Sequence, residues 1–138
     1  MPISLKIITP NKTAFSDIVD SVTIPGVEGE MGVLPHHAPL ISAIKPGELS
    51  YTKGAHKEYF AVGDGFVEVT GERVSIITDM AVTDSEVDEK VVSEALERAQ
   101  QALKERGADH NNEEIAAVMV SIQKSMAQLH LKRRRHSL

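Results

Sequence analysis

The chain has no cysteine and no tryptophan among its 138 residues, and only five aromatic residues, three Phe and two Tyr. Without cysteine there is no disulfide framework, no thiolate metal or iron–sulfur site and no thiol nucleophile, while the redox compartment stays open. No apolar run approaches the ~20 residues of a spanning helix. The opening Met1-Pro2-Ile3-Ser4-Leu5-Lys6 lacks the basic and apolar regions of a signal peptide, so a soluble chain, mature as written, is expected. Phosphate loops of the G-x-x-x-x-G-K-[ST] and G-x-G-x-x-G types are missing, as is a G-x-S-x-G elbow. In Gly26-Val27-Glu28-Gly29-Glu30-Met31-Gly32, two carboxylates stand where a phosphate cradle would have to attract anions. The six histidines are not at ligand spacing, and the adjacent His36 and His37 would point to opposite faces of a strand. Nothing in the residues supports catalysis or a bound metal.

Two further scarcities divide the chain. All six prolines and eight of the nine glycines fall in residues 1–84, and the remainder contains only Gly107. The first part alternates apolar and polar residues, as in Ile3, Leu5 and Ile7, in Val22 and Ile24, in Phe66 to Val69 and in Val74 to Ile77. These runs are separated by Pro25-Gly26, Pro46-Gly47, Gly54, Gly63 to Gly65 and Gly71-Glu72. Period-two runs with turn signals every 8 to 12 residues predict antiparallel strands in a sandwich or barrel. Beyond Thr83 the period lengthens. Val91/Val92, Ala95/Leu96, Ala99 and Ala102/Leu103 predict an amphipathic helix over 86–106, with a capping-box-like start at Ser85 to Asp88 and Gly107 just past its end. Ile115, Val118, Met119, Ile122, Met126 and Leu129 predict a second helix, capped by Asn111 with Glu114 three residues on. The expected class is α+β, with a β-sandwich over 1–84 and a two-helix αα-hairpin over 85–138.

Acidic residues are also missing where they would be most noticed. Residues 85–114 carry nine Asp/Glu against four Lys/Arg, whereas 115–138 carry five Lys/Arg and no acid; the first 84 residues, with six basic and eleven acidic, hold the whole chain's net −5. A hairpin with faces of opposite sign can close on itself reversibly, since exposed pairs are screened beyond ~8 Å at physiological salt. The basic end, Lys132-Arg133-Arg134-Arg135, reads as a nucleic-acid or localisation patch, as a ligand for an acidic protein surface, or as a frayed solvated terminus. With no interleaved aromatics and no wider basic face, nucleic acid is not an expected partner.

One stretch is too particular for a generic sandwich loop: Gly29-Glu30-Met31-Gly32-Val33-Leu34-Pro35-His36-His37-Ala38-Pro39-Leu40. It resembles the G-E-[LIM]-G-x-[LY]-P-x-H-A-P-L signature of the epsilon subunit of bacterial and chloroplast F-type ATP synthases. Leu5-Lys6-Ile7-Ile8-Thr9-Pro10, Gly63-Asp64-Gly65-Phe66-Val67-Glu68-Val69 and the order of sandwich then hairpin are similar to that family too, so the resemblance covers essentially the whole chain. It implies a sandwich of about ten strands and two helices at the foot of a rotating central stalk, without an active site of its own. The implied partners are the gamma subunit, the c-ring and, through the C-terminal helices, the alpha/beta catalytic head, whose ATP hydrolysis the helices inhibit when extended.

Carried onto matching positions, Glu28, Gly29, Glu30, Met31 and Gly32 would face the c-ring. Thr9 and His37 would lie near gamma, and Lys132, Arg133, Arg134 and Arg135 would face the head. The glycines and prolines of the signature also serve turn geometry in their own right. The implied location is peripheral, on the cytoplasmic face of a bacterial plasma membrane or the stromal face of a thylakoid, with no direct membrane insertion. Members of the family that bind ATP carry a hydrophobic-Asp-x-x-Arg-Ala motif at the first helix; here the run is Val87-Asp88-Glu89-Lys90-Val91-Val92. Valines replace the Arg and Ala, which removes a phosphate donor and counts against ATP binding; no cofactor is expected, and Asp88 is expected as a helix N-terminal charge. The rival reading from the residues is a free-standing β-sandwich binding module whose hairpin dimerises, and an enzyme comes third.

Overall fold

The computed structural model describes residues 2–35, 38–106 and 112–136. Ten strands come first: β1 (Ile3–Ile8), β2 (Thr13–Val19), β3 (Ser21–Gly26), β4 (Gly29–Val33), β5 (Leu40–Ile44), β6 (Gly47–Lys53), β7 (His56–Val62), β8 (Gly65–Thr70), β9 (Arg73–Thr78) and β10 (Ala81–Val82). A single 3-10 turn, Asp84–Glu86, leads into α1 (Glu89–Arg106) and α2 (Asn112–His136). The strands hydrogen-bond in the order β10-β7-β6-β3-β5-β8-β9-β1-β2, with β4 on β3. Only Gly26 and Ile44 pair between β3 and β5. The path folds over at that weak link, so one leaf holds β10, β7, β6, β3 and β4 and the other holds β5, β8, β9, β1 and β2. The expected ten-stranded sandwich with two following helices is present. One pairing is not antiparallel: β1 lies parallel to β9, with Leu5 opposite Val74 and Ile7 opposite Ile76.

Alternation does what the sequence predicts. Ile3, Leu5 and Ile7 of β1, Val67 and Val69 of β8, and Val74 and Ile76 of β9 point inward to meet Val22, Ile24, Leu49, Phe60 and Val62 of the other leaf, all within one buried cluster. Each such side chain removes about 1.5–3 kcal/mol worth of apolar surface from water. Phe15 of β2 spans the gap, its ring 4.7 Å from Tyr51 and 5.5 Å from Phe60, and burial pushes the Tyr51 phenol above its usual range. β7 breaks the alternation. Phe60 and Val62 enter the sandwich core, but Ala61 between them is equally buried, in a second cluster with Val87, Val92, Ala127, Leu129 and Leu131, and Tyr59 packs against it. That cluster is the seam under α2.

The helices depart from the expected boundaries at their start. Glu86 does not open the first helix; its Oε1 accepts hydrogen bonds from the Thr83 N–H and the Thr83 hydroxyl, both at 3.0 Å, and so caps the start of the 3-10 turn. Asp88 then caps α1, its Oδ1 accepting from the Val91 N–H at 3.2 Å. Gly107 and Asn111, the expected joint and second cap, lie outside the described residues. On α2 the contact surface is also displaced. Met119 and Met126 are exposed, while Ser125, Ala127, Leu129 and Leu131 are buried. A helix that packs against both α1 and the sheet needs an arc wider than the single stripe read from the sequence.

Close approach makes Gly65 irreplaceable: a Cβ there would run into the Ile77 carbonyl of the paired strand. Gly32, on β4, faces open space at ordinary φ. Gly65→Ala should therefore cost more than about 2 kcal/mol and Gly32→Ala less than about 1 kcal/mol, measured by urea unfolding. Equal losses would show that the β8–β9 approach is not the constraint described.

Candidate functional site

Three surfaces hold the residues singled out by sequence. The first is the β3–β4 hairpin. Gly26 pairs with Gly29 across the two-residue turn Val27-Glu28, and Gly29 adopts φ +126°, a region that favours glycine. Glu28, Gly29, Glu30 and Gly32 are exposed on this finger, while Met31 is half-buried and anchors it to the sandwich core. The finger therefore presents carboxylates and the exposed apolar Val27 on a rigid base.

The second surface lies on the outside of the other leaf. Ala43 pairs with Phe66, Phe66 with Ile77, and Ile77 with Ile8, so four apolar residues line up across β5, β8, β9 and β1. Phe66 is 42% exposed, a large aromatic left in solvent. Ile41, the next outward residue of β5, is 71% exposed. Contiguous apolar exposure on a small soluble fold marks a contact surface. Thr9 borders this row at the end of β1, where its N–H and hydroxyl both donate to the Lys12 carbonyl and close the β1–β2 turn. His37 lies outside the described residues.

The third is the basic end of α2, and here the structure adds most to the sequence. The cations do not stand free. Arg134 reaches back to β6 and forms a two-pronged pair with Glu48, Nε to Oε2 at 3.0 Å and Nη2 to Oε1 at 3.1 Å, with its guanidinium 4.5 Å from the Tyr59 ring centre. His130, one turn earlier, puts Nε2 2.9 Å from the same Glu48 Oε1. Glu48 hydrogen bonds hold the Arg134 guanidinium even more firmly protonated than usual, and burial opposes this only in part. Lys132 Nζ donates to the Asp84 carbonyl at 3.0 Å. Arg133 Nε lies 3.4 Å from Glu89 Oε1. That contact joins the acidic start of α1 to the basic end of α2, as the two helix dipoles favour. Further up α2, Lys124 pairs with Asp79 above Gly63, where any Cβ would displace the Asp79 carboxylate. The side chain of Arg135 is not among those described.

Of these groups, Glu30 and Arg134 are brought together: both line an open cleft of about 750 Å³ between α2 and the β3–β6–β7 leaf. Thr9 lines no part of it. Sequence reasoning missed Glu48, Tyr59 and His130. The signal for Tyr59 was the unbroken apolar run Tyr59-Phe60-Ala61-Val62, too continuous for a strand wetted on one face. Among the described residues, no three His, Asp or Glu side chains converge as a metal site, and no helix is long and apolar enough to cross a membrane.

A β-sandwich carrying a docked helical hairpin defines a recognisable class of subunit, and comparison with known proteins places it. Residues 2–84 match the family model described as ATP synthase, Delta/Epsilon chain, beta-sandwich domain. The ATP synthase epsilon chain of Herpetosiphon aurantiacus is 35% identical over 137 residues, covering 99% of this chain and 98% of its own. That of Chloroflexus aggregans is 37% identical over 142 residues, covering 99% and 100%. A chain of the Euglena gracilis mitochondrial ATP synthase, solved as OSCP/F1/c-ring, superposes with TM-score 0.75 at 23% identity over 99% of this chain and 82% of that one, a likeness of fold. The chain belongs to the ATP synthase delta/epsilon chain family.

The connector between sandwich and hairpin should be acid-sensitive. Hydrogen bonds from Thr83 hold Glu86 below the usual carboxylate range, backbone first, with Lys12 nearby at 3.8 Å. A lowered folded-state pKa gives stability that is present above the ordinary carboxylate value and lost as pH falls through the lowered one. Glu86→Ala should cost about 0.5–1.5 kcal/mol at pH 7 in urea unfolding. The difference from wild type should shrink steadily as the pH drops below 4; a pH-independent difference would contradict the sign.

Proposed function

We propose that this chain is the epsilon subunit of a rotary ATP synthase, a non-catalytic part of the central stalk that couples gamma to the c-ring and restrains ATP hydrolysis through its C-terminal hairpin. The observation that carries the reading is the division of labour between two cores. The sandwich closes around its own apolar interior, whereas the hairpin rests on it through a small seam and a handful of ion pairs. The boundary of the two working parts falls near residue 84. The apolar row Ala43, Phe66, Ile77 and Ile8, with Thr9 beside it, is the gamma-facing surface, to which the family resemblance also assigns His37. The Glu28–Gly32 finger faces the polar loops of the c-ring, and the subunit works as a peripheral protein on the cytoplasmic face of the membrane, or the stromal face in a plastid.

Supporting an arm that moves, an unbroken helix over 85–135 would reach about 76 Å, against about 27 Å for the 18-residue α1 as folded back here. No proline obstructs that extension, and a helical Gly107 costs only about 1 kcal/mol relative to alanine. Extension bares Val92, Leu129 and Leu131, so it belongs where gamma and the alpha/beta head cover them. Lys132 to Arg135 then face the head. No cofactor enters this reading: Val91 and Val92 stand where ATP-binding members of the family carry Arg and Ala, and Asp88 serves as the α1 cap.

Two measurements test it. Reconstituted with alpha, beta and gamma chains, the full-length chain should lower ATPase activity, and a version ending near Thr83 should still bind gamma without doing so. If the truncated chain folds but no longer binds, the division of labour is wrong. Glu30→Lys, on an exposed finger, should change stability by no more than about 0.5 kcal/mol yet reduce proton-driven ATP synthesis; synthesis equal to wild type would argue against the c-ring contact.

A further inference from the structure

The charged contacts of α2 fall into two sets. Lys132 with Asp84 and Arg133 with Glu89 tie the hairpin to its own connector and first helix; they persist while the hairpin lifts as a body and break only when it straightens. Contacts with the strands are different. They include the Lys124–Asp79 pair, whose Asp79 side chain is 45% exposed, and the cluster at Glu48, whose side chain is only 14% exposed.

Glu48 is placed for this by β6. It pairs with Ala61 of β7, and Ser50 pairs with Tyr59, so Glu48, Tyr59 and Ala61 share the outer face on which α2 lies. Leu49 between Glu48 and Ser50 points into the sandwich core, to which Glu48 contributes nothing. Both Glu48 oxygens accept from Arg134 on α2, Oε2 from Nε and Oε1 from Nη2, and His130 Nε2 lies 2.9 Å from Oε1 and 3.1 Å from Arg134 Nη2. The planar guanidinium is thus fixed twice, in its plane by the carboxylate and across its face by the Tyr59 ring. Such charge-assisted, two-pronged bonds are about twice as strong as neutral ones and strict in geometry. They sit at the far end of α2, where a small angular movement of the hairpin breaks them completely.

We propose that Glu48, seated against Tyr59, is the latch that holds the hairpin in its folded-back position by gripping Arg134. The inference rests on the reading of the hairpin as a movable arm, and it sharpens it. Arg134 serves both positions, latch in one and head-facing cation in the other, so replacing the basic end by alanine removes both effects together. Glu48 serves the folded-back position alone. Its loss should free the arm without weakening the cations that would act elsewhere.

The absence of native cysteine allows paired spin labels at Ser16→Cys on the sandwich and Ser121→Cys on α2, both exposed, in the full-length chain. The wild-type background should give one short distance. Glu48→Ala should raise the population at longer distances about tenfold, equivalent to about 1.4 kcal/mol. Glu48→Gln should show a smaller rise, and Arg134→Lys, which keeps the charge but loses the fork and the stacking, should fall between wild type and Glu48→Ala. Unchanged strand circular dichroism confirms that the sandwich is intact. Wild-type distance distributions in both Glu48 variants would overturn the latch, whatever the arm does in the complex. In the reconstituted head, Glu48→Ala should deepen inhibition of ATP hydrolysis. Freed distances with wild-type hydrolysis would uphold the latch and overturn the inhibitory role of the arm.

Discussion

Strand β7 has to be covered twice. Phe60 and Val62 face the sandwich interior while Tyr59 and Ala61 face outward, and an apolar strand face left wet on a domain of this size would be an exposed patch of the kind that invites aggregation. The cover is α2, and the rest of the molecule follows from it. The hairpin must return across β6 and β7, the connector Thr83–Asp88 must turn the chain tightly enough to allow that return, and Gly63 must lack a Cβ so that Asp79 can meet Lys124 beside the seam. The cover is also small. Among the described residues, six buried ones make the second cluster, two of them alanines, against sixteen in the sandwich. On the proposed function, a seam of that size holds a helix pair in place with help from charge and lets go without unfolding what lies beneath.

The five aromatic residues are spent at junctions, which is why so few suffice. Phe15, Tyr51 and Phe60 close the two leaves on each other. Tyr59 stacks on the arm through Arg134. Phe66 is left to solvent in the apolar row that offers itself to a partner. Each aromatic thus marks one of three relationships, leaf to leaf, sandwich to hairpin and, on the proposed function, sandwich to stalk.

What was legible in the sequence was whatever depends on near neighbours. Ile3, Leu5 and Ile7 announce a one-sided strand because the period of two is local, and Pro25-Gly26, Gly54 and Gly71-Glu72 announce breaks between strands for the same reason. The helix start was misplaced by three residues because two capping carboxylates follow one another, Glu86 serving Thr83 and Asp88 serving α1, and spacing alone does not say which is which. The α2 stripe was read one-sided because nothing in its own residues reveals that it packs on two surfaces. The parallel β1–β9 pair and the Glu48–Arg134 fork were out of reach altogether. The second joins residues 86 positions apart, and their meeting depends on how α2 lies over a sheet whose order no local pattern encodes. The basic run was noticed as a charge pattern, yet its contacts within the chain, Glu48, the Asp84 carbonyl and Glu89, lie on three separate elements.

The account stands on the claim that sandwich and hairpin are held by a separable seam. Native-state hydrogen exchange of the intact chain, followed residue by residue at low denaturant, tests it most directly. Amides of β6, β8 and β9 should exchange only through global unfolding, while those of α1 and α2 exchange through a smaller opening with lower free energy and weaker denaturant dependence. Strand and helix amides sharing one exchange free energy and one denaturant slope would mean a single cooperative unit, and would contradict it.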